Sequence, residues 1–512
     1  MATFEPGSVP GQESLLSLPT DEFIANIAVV ARSRFDCTSY PQQNLPADDW
    51  ALLVRAGVML PALPTEFGGR DSHVEMCRVV ETLAEWNLPL GMYTKIITAV
   101  ALRPIAMRAG EQAKREVLPL FATADPMICG FASTEPGCGS AMSAMQTTYE
   151  EVDGGYRIRG TKHWQGFSAT GHWWLVSAKN DTNGRRYGYF IVKRSEGFRT
   201  VRRYEPLGMR LLDYGLNEID AVVPAHRKIA AEDRSLSAMV EMLMPPRAMM
   251  AALAAGFLRR ISREAHILAD NRPMGPGPLS AIGFVRYRLR AIDTSATIAE
   301  ALNHYLMTQL DVKADMTDAF PAVQAIKILA TERMVTSAYH YQQLCGGEGY
   351  RCDAPSNVAG QAFLDTRVFT IFDGTNDLLS QQLTEWCLTR HEGRPLSRFL
   401  ATWPLTAPAI AEHHVDLGFL DSDLRQEHLV LGGRAIAATF AIAQLMRWAG
   451  ETQGDAPVRA RPAIEFLKAD IDGIAREFVL LAAGVLDHDD RDAAPTAEDL
   501  VLSRSIPAYA ST

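Results

Sequence analysis

Two stretches of this chain gather residue types that can do chemistry. The first, Phe131-Ala132-Ser133-Thr134-Glu135-Pro136-Gly137-Cys138-Gly139-Ser140, crowds hydroxyls and backbone amides among small residues. Small residues let the backbone approach a ligand closely, and such donors suit an anionic phosphate. The same composition also suits a plain Pro-Gly surface turn. The second, Ile371-Phe372-Asp373-Gly374-Thr375-Asn376-Asp377, sets the carboxylate of Asp373 among apolar and turn residues. An Asp before Gly-Thr-Asn is a good helix N-terminal signal, and a buried carboxylate is also the kind of group that removes protons. Metal chemistry is not indicated. Cys37, Cys77, Cys129, Cys138, Cys345, Cys352 and Cys387 are scattered without a C-x-x-C pair, and His163, His172, His413 and His414 lack ligand spacing.

The elements that must position these residues follow from periodicity. Residues 1–125 read as helical; in Val74 to Leu83 apolar residues recur at three- and four-residue steps and give one buried face. From 126 to 235 short alternating runs, such as Tyr187 to Val192, are separated by turn signals such as Asp153-Gly154-Gly155, which predicts a strand-rich domain of hairpins. Long helices return over 236–394, and a further helical extension fills 395–512, with Gly454 to Pro462 as its hinge. The fold class is therefore α+β: a helical domain, a β-barrel or sandwich, a helical bundle and a helical extension.

Composition narrows the function classes. The 512 residues, 47% hydrophobic and 21% charged, are those of a soluble multidomain protein. A formal net charge of −10 argues against nucleic acid as the main partner. The odd number of cysteines and the absence of a basic, apolar leader suit reduced thiols and a cytoplasmic location. The longest apolar run, Ala435 to Met446 between Arg434 and Arg447, is too short to span a bilayer, so no transmembrane segment is expected.

In this order and spacing, the two chemical stretches resemble the flavin and active-site segments of the acyl-CoA dehydrogenase family. Pro64-Thr65-Glu66-Phe67-Gly68-Gly69, Gly160-Thr161-Lys162-His163-Trp164, Gly208-Met209-Arg210 and Gln343-Leu344-Cys345-Gly346-Gly347 carry the likeness across residues 45–392. The resemblance implies FAD as cofactor and a family fold whose C-terminal domain is a four-helix bundle. It implies FAD contacts from Phe131, Ser133, Thr134, Gly139 and Ser140, from Trp164 and Gly166, and from Thr375 and Asp377. It also implies that Arg272, with Gln343, Gly346 and Gly347, serves the FAD of a neighbouring subunit, hence a homodimer or a dimer of dimers; the extension favours the dimer. Read without the resemblance, Trp164 is a strand residue in a hydrophobic core and Arg272 a solvated loop cation.

The departures from the family pattern set the chemistry. Asp373 stands where most members carry a catalytic Glu, and Pro246, where some branches carry their base, cannot act as one. Gly166 replaces a hydroxyl residue expected beside the flavin, and Ala141 replaces a common Asp. The resemblance implies dehydrogenation of an acyl thioester, on CoA or a carrier protein, with Asp373 as the α-proton base; it leaves the electron acceptor open. The rivals on the same fold are a flavin oxidase or monooxygenase, nitroalkane-oxidase-like or N-hydroxylating, and a non-catalytic flavoprotein scaffold.

Overall fold

The computed structural model describes residues 12–139, 144–182, 186–229, 240–422 and 424–482. The N-terminal part is helical, with Thr20–Arg34 (α1), His73–Trp86 (α2) and Leu88–Lys95 (α3) as its main members. In α2 the Ser72 hydroxyl accepts a hydrogen bond from Glu75 N at 3.2 Å, while Met76, Cys77, Val79, Val80, Leu83 and Ala84 form the buried face. Pro89 opens α3 at a position where the missing N–H costs nothing. α3 then widens into a π-helical stretch, Ile96–Leu102, a departure often found at functional sites.

The middle part is one eight-stranded sheet built from β1 (Cys129–Ala132), β2 (Thr148–Val152), β3 (Gly155–Gly166), β4 (Trp173–Asn180), β5 (Tyr187–Lys193), β6 (Phe198–Arg203), β7 (Tyr214–Pro224) and β8 (Lys228–Ile229). Its path runs β6-β7-β3-β2-β4-β5-β8. The β2–β3 hairpin turns on Asp153-Gly154 as the sequence predicts, with Gly154 at φ +75°. The sheet is not hairpins throughout, however. β1 and β2 both pair parallel to β4, one at each end of it. The run Trp173 to Ala178 is buried at every position, so β4 is a central strand that needs neighbours on both edges.

Three long helices, Met250–Asn271 (α4), Gly283–Gln309 (α5) and Phe320–Cys345 (α6), pack together with Ala359–Thr366 (α7) and Asn376–Leu388 (α8). The break after Asn271 is a small hairpin, Pro273–Met274 against Gly277–Pro278. The extension supplies Gln426–Glu451 (α9) and Ala456–Ala482 (α10). Two expectations change here. The apolar run of α9 is part of a 26-residue helix long enough by length alone to cross a bilayer, yet 83% of its most apolar stretch is buried in this structure, against α5, α6, α8 and α10. The break between α9 and α10 lies before Ala456, and Pro462 sits inside α10. The carbonyl that Pro462 cannot serve belongs to Val458, which is 75% exposed and open to water.

α9 meets α8 at close range because Gly433 has no side chain: a Cβ there would lie 2.0 Å from the Ser380 carbonyl oxygen. Thr384 Oγ1 donates to Leu429 O at 2.8 Å across the same seam. Gly433→Ala should therefore force α9 off α8 and lower unfolding stability by about 1–3 kcal/mol, read from thermal melts of the purified protein.

Candidate active site

The Asp373 loop, the sheet edge and α3 enclose a cavity of about 1100 Å³. Met92, Ile96 and Val100 line one wall. Phe131, Ser133, Thr134, Gly139, Trp164, Gly166, Met209 and Tyr214 line the sheet side. Ile371 to Thr375 line a third side, continued along α8 by Leu378, Gln382, Glu385, Trp386 and Thr389, which recur at helical spacing on one face.

The sheet wall is held by a buried ion pair. Lys162 Nζ lies 2.7 Å from Glu135 Oε1 and also donates to Ser133 O at 3.0 Å and to Ser177 Oγ at 3.2 Å. Glu135 accepts in addition from the backbone N–H groups of Gln146 and Thr147. Burial pulls the Lys162 ammonium down to about 8 against the pull of Glu135. The Glu135 carboxyl sits below its usual value: burial, which pushes it up, is outweighed by Lys162 and the two amides. Thr134 O then accepts from His163 N at 2.9 Å and from Gln165 Nε2 at 3.1 Å, so the first chemical stretch lies against β3. It is therefore not a free surface turn.

Trp164 is not a core residue. The register of β3 against β7 shifts between His163 and Gln165, and Trp164 takes φ +62° in that bulge. Its ring is 52% exposed, faces the cavity and packs on Tyr204 at 4.7 Å between centroids. Gly166 lies beside it, where a Cβ would come within 3.1 Å of Leu212 Cδ2 and 3.5 Å of Ile96 Cδ1, so an added side chain would press on the Leu212 tip. Met209, at φ +56°, is fixed by donating its N–H to Asp365, which also accepts from Gln361 Nε2 at 2.8 Å. Burial pushes the Asp365 carboxyl up to about 6.

Asp373 is not the helix cap. Thr375 caps α8, its hydroxyl accepting from Leu378 N at 3.3 Å. Asp373 lies two residues earlier in the left-handed region, φ +57°, with 17% of its side chain exposed in the cavity. Three buried cations converge on it and on the residues just after it. Lys95 Nζ is 3.2 Å from Asp373 Oδ2. Arg247 Nε donates to Asp373 O at 2.7 Å. Lys327 Nζ donates to Gly374 O at 2.8 Å and to Asn376 Oδ1 at 2.7 Å. Burial lowers the basicity of all three, Arg247 to about 10 and Lys327 to about 7, while the Asp373 charge opposes it.

The remaining candidates lie elsewhere. Arg272 Nη1 donates to Leu344 O and Cys345 O at 3.2 and 3.3 Å, which brings it to Gln343, Gly346 and Gly347 in a cluster outside this cavity. Asp377 points to the extension, 2.7 Å from Arg434 Nη2. Ser140 and Ala141 lie outside the described residues. Sequence reasoning missed Lys95 and Lys327. The signal for Lys95 was a single charge inside the apolar run Leu88 to Leu102, which marks a buried, paired lysine. No cluster of three or more metal-ligating side chains occurs among the described residues.

The cavity offers an aromatic face, small residues and the hydroxyls of Ser133, Thr134 and Thr375, a donor set that fits a flat heteroaromatic ring with a polar edge. Comparison with known proteins decides the family. Residues 24–125, 130–222 and 236–388 match the N-terminal, middle and C-terminal domains of acyl-CoA dehydrogenases. The chain belongs to the acyl-CoA dehydrogenase family. It is accordingly an FAD-dependent oxidoreductase acting on CH–CH bonds. An acyl-CoA dehydrogenase of Bacillus subtilis is 24% identical over 341 residues, 65% of this chain and 87% of that protein. Mitochondrial isovaleryl-CoA dehydrogenase of Oryza sativa is 24% identical over 62% of this chain and 76% of its own length. A Bacillus anthracis acyl-CoA dehydrogenase structure, complexed with FAD, shares the fold at TM-score 0.74 and 19% identity over 94% of this chain and 90% of that one, so the likeness extends into the helical extension. A prolyl acyl carrier protein oxidase shares it at TM-score 0.64 and 15% identity, over 72% and 98%.

Two outcomes follow from these geometries. Lys162→Met strands the buried Glu135 charge and should cost about 3–5 kcal/mol in denaturant unfolding, with less FAD retained on purification. The Asp365 carboxyl, raised from 3.8 to about 6, contributes stability that is present below pH 4 and lost as pH rises through 6. Asp365→Asn keeps the acceptor oxygen and should cancel that loss, gaining up to about 3 kcal/mol at pH 8 in melts run across the pH range.

Proposed function

We propose that this protein removes the α and β hydrogens of an acyl thioester, with Asp373 as the α-proton base. The observation that carries the reading is the Asp373 carboxylate in the same cavity as Trp164, Thr134 and Gly166. Phe131, Ser133, Thr134, Gly139, Trp164, Gly166 and Thr375 would hold the ring system of FAD. Bound FAD supplies a two-electron acceptor for the hydride that leaves the β carbon. Asp373 takes the α proton onto a carboxylate oxygen as that C–H bond breaks. Its side chain is one methylene shorter than Glu, about an ångström or more of reach, and the left-handed backbone at Asp373 sets the direction from which that shorter chain starts. The apolar wall of Met92, Ile96, Val100 and Phe320 suits an acyl chain and excludes water from the base.

Glu385 also lines the cavity, but at an exposed position more than two helical turns along α8 from Thr375, where water screens it. Asp373→Asn should keep the fold and FAD, since Thr375 makes the cap, and lower anaerobic flavin reduction by an acyl thioester roughly a hundredfold or more. Stopped-flow bleaching of the flavin measures this; an unchanged rate removes Asp373 from the mechanism.

A second reading is supported by Gly166: with no hydroxyl at that place, a flavin oxidase on the same kind of thioester fits the wall as well. Oxygen uptake coupled to thioester turnover separates it from a dehydrogenase that needs another acceptor. We also infer a homodimer in which Arg272 and the Gln343 to Gly347 segment of one subunit serve the other's FAD. Light scattering should give twice the chain mass, and Arg272→Ala should weaken FAD retention; a monomer that holds FAD tightly would exclude the shared site.

A further inference from the structure

Lys95 stands behind Asp373 on the protein side of the cavity. Its side chain is fully buried, and its ammonium touches Asp373 Oδ2 at 3.2 Å and Met250 Sδ at 3.6 Å, with the Phe372 ring centroid at 5.4 Å. The lysine closes α3 just where the helix widens into its π-helical stretch, and the next residue, Ile96, lines the cavity. The pair therefore ties the N-terminal helices to a loop 278 positions later in the chain. A buried ammonium with one acidic partner is a costly element, stable only while that partner is an anion.

We propose that Lys95 is a positioning residue for the reaction: it clamps Oδ2 of Asp373 from behind, so that the carboxylate meets the substrate through Oδ1. A short Asp side chain on a left-handed residue has few ways to aim itself, and an ion pair at one oxygen fixes the plane of the group. In the step itself the α C–H bond breaks, its proton goes to Oδ1, and the electron pair stays on the acyl skeleton, whose β hydrogen would leave as hydride; bound FAD would supply the two-electron acceptor. The other charged or titratable groups around Asp373 are accounted for. Arg247 and Lys327 hold backbone carbonyls, Glu332 binds Asn376 Nδ2, Tyr214 lies on the sheet wall, and Glu385 lies along α8 at the exposed end. Lys95 alone among the described cations touches the Asp373 carboxylate.

The inference rests on Asp373 being the base only for its rate arm, so the test has two arms. In FAD-loaded protein labelled with [¹³C]aspartate, the infrared carboxyl band lost in Asp373→Asn identifies Asp373 without any substrate. At pH 7 that band should shift in frequency in Lys95→Met, because Oδ2 loses its hydrogen-bonded ammonium, and Lys95→Arg should bring it back towards the wild-type position. With a thioester that bleaches the flavin, Lys95→Met should lower the reduction rate at saturating substrate about tenfold or more with KM little changed, and Lys95→Arg should recover most of the loss. An unmoved band in folded, FAD-bearing Lys95→Met overturns the proposal. Lys95→Gln, which keeps a donor in the buried place, should also move the band and decides the question if the Met variant does not fold. A thioester that fails to reduce the wild-type flavin counts against the dehydrogenase reading and leaves the infrared arm to decide on Lys95.

Discussion

Three buried cations converge on two consecutive residues, and the rest of the site depends on that convergence. Lys95, Arg247 and Lys327 come from three separate places in the chain, yet all bind atoms of Asp373 or Gly374. Taking such charges out of water is expensive, and each is stable only with well-placed oxygen partners. Moving the loop would leave all three without their main acceptors at once. The helices that carry them are therefore held in register by the same atoms that hold the base. Arg247 extends the arrangement, because Gln324 accepts from it at 3.2 Å and donates in turn to Gln382 on the cavity wall at 3.0 Å. A left-handed backbone at Asp373, which would cost about 1 kcal/mol or more in isolation, persists because its surroundings fix it from several directions.

Much of this was legible in the residues. The order helix, sheet, helix follows from periodicity, because amphipathic faces and alternating strands are local properties. The stretch around Thr134, Trp164 and the Asp373 segment, far apart in the chain, line one cavity. What failed to show was long-range. Lys95 looked like an ordinary helix residue until its partner, far along the chain, came beside it. For Asp373 the residues allow a cap as well as a base, because Asp before Gly-Thr-Asn has the right composition for either; the backbone gives the cap to Thr375. For Trp164 the strand pattern alone suits a core residue, and only the one-residue bulge turns it outward. The parallel pairs of β4 and the placement of Pro462 escaped for the same reason, since each is decided by a neighbour or by water rather than by local propensity.

The extension joins this system rather than decorating it. Its helix α9 packs against α8, the helix that begins immediately after the Asp373 loop, and the Gly433 contact leaves little room for slippage. Ion pairs between the extension and the bundle, Arg434 with Asp377, Arg333 with Asp470 and Arg459 with Glu300, are partly exposed and add orientation more than energy. The apolar face of α9 supplies the adhesion, and α8 is thereby backed on the side away from the cavity.

That backing has a temporal side. Chains emerge N-terminus first, and domains begin to fold as they appear. The Asp373 loop and α8 leave the ribosome before α9 does, so the helix that braces them arrives only after the cavity walls have been made. Until then α8 presents an uncovered flank, whereas the 26-residue α9 emerges with α5, α6 and α8 already made and only α10 still to come. The nascent chain thus carries one bare apolar flank beside its finished cavity walls, the kind of surface that promotes aggregation. The order of synthesis makes the brace of the Asp373 loop one of the last parts to be put in place.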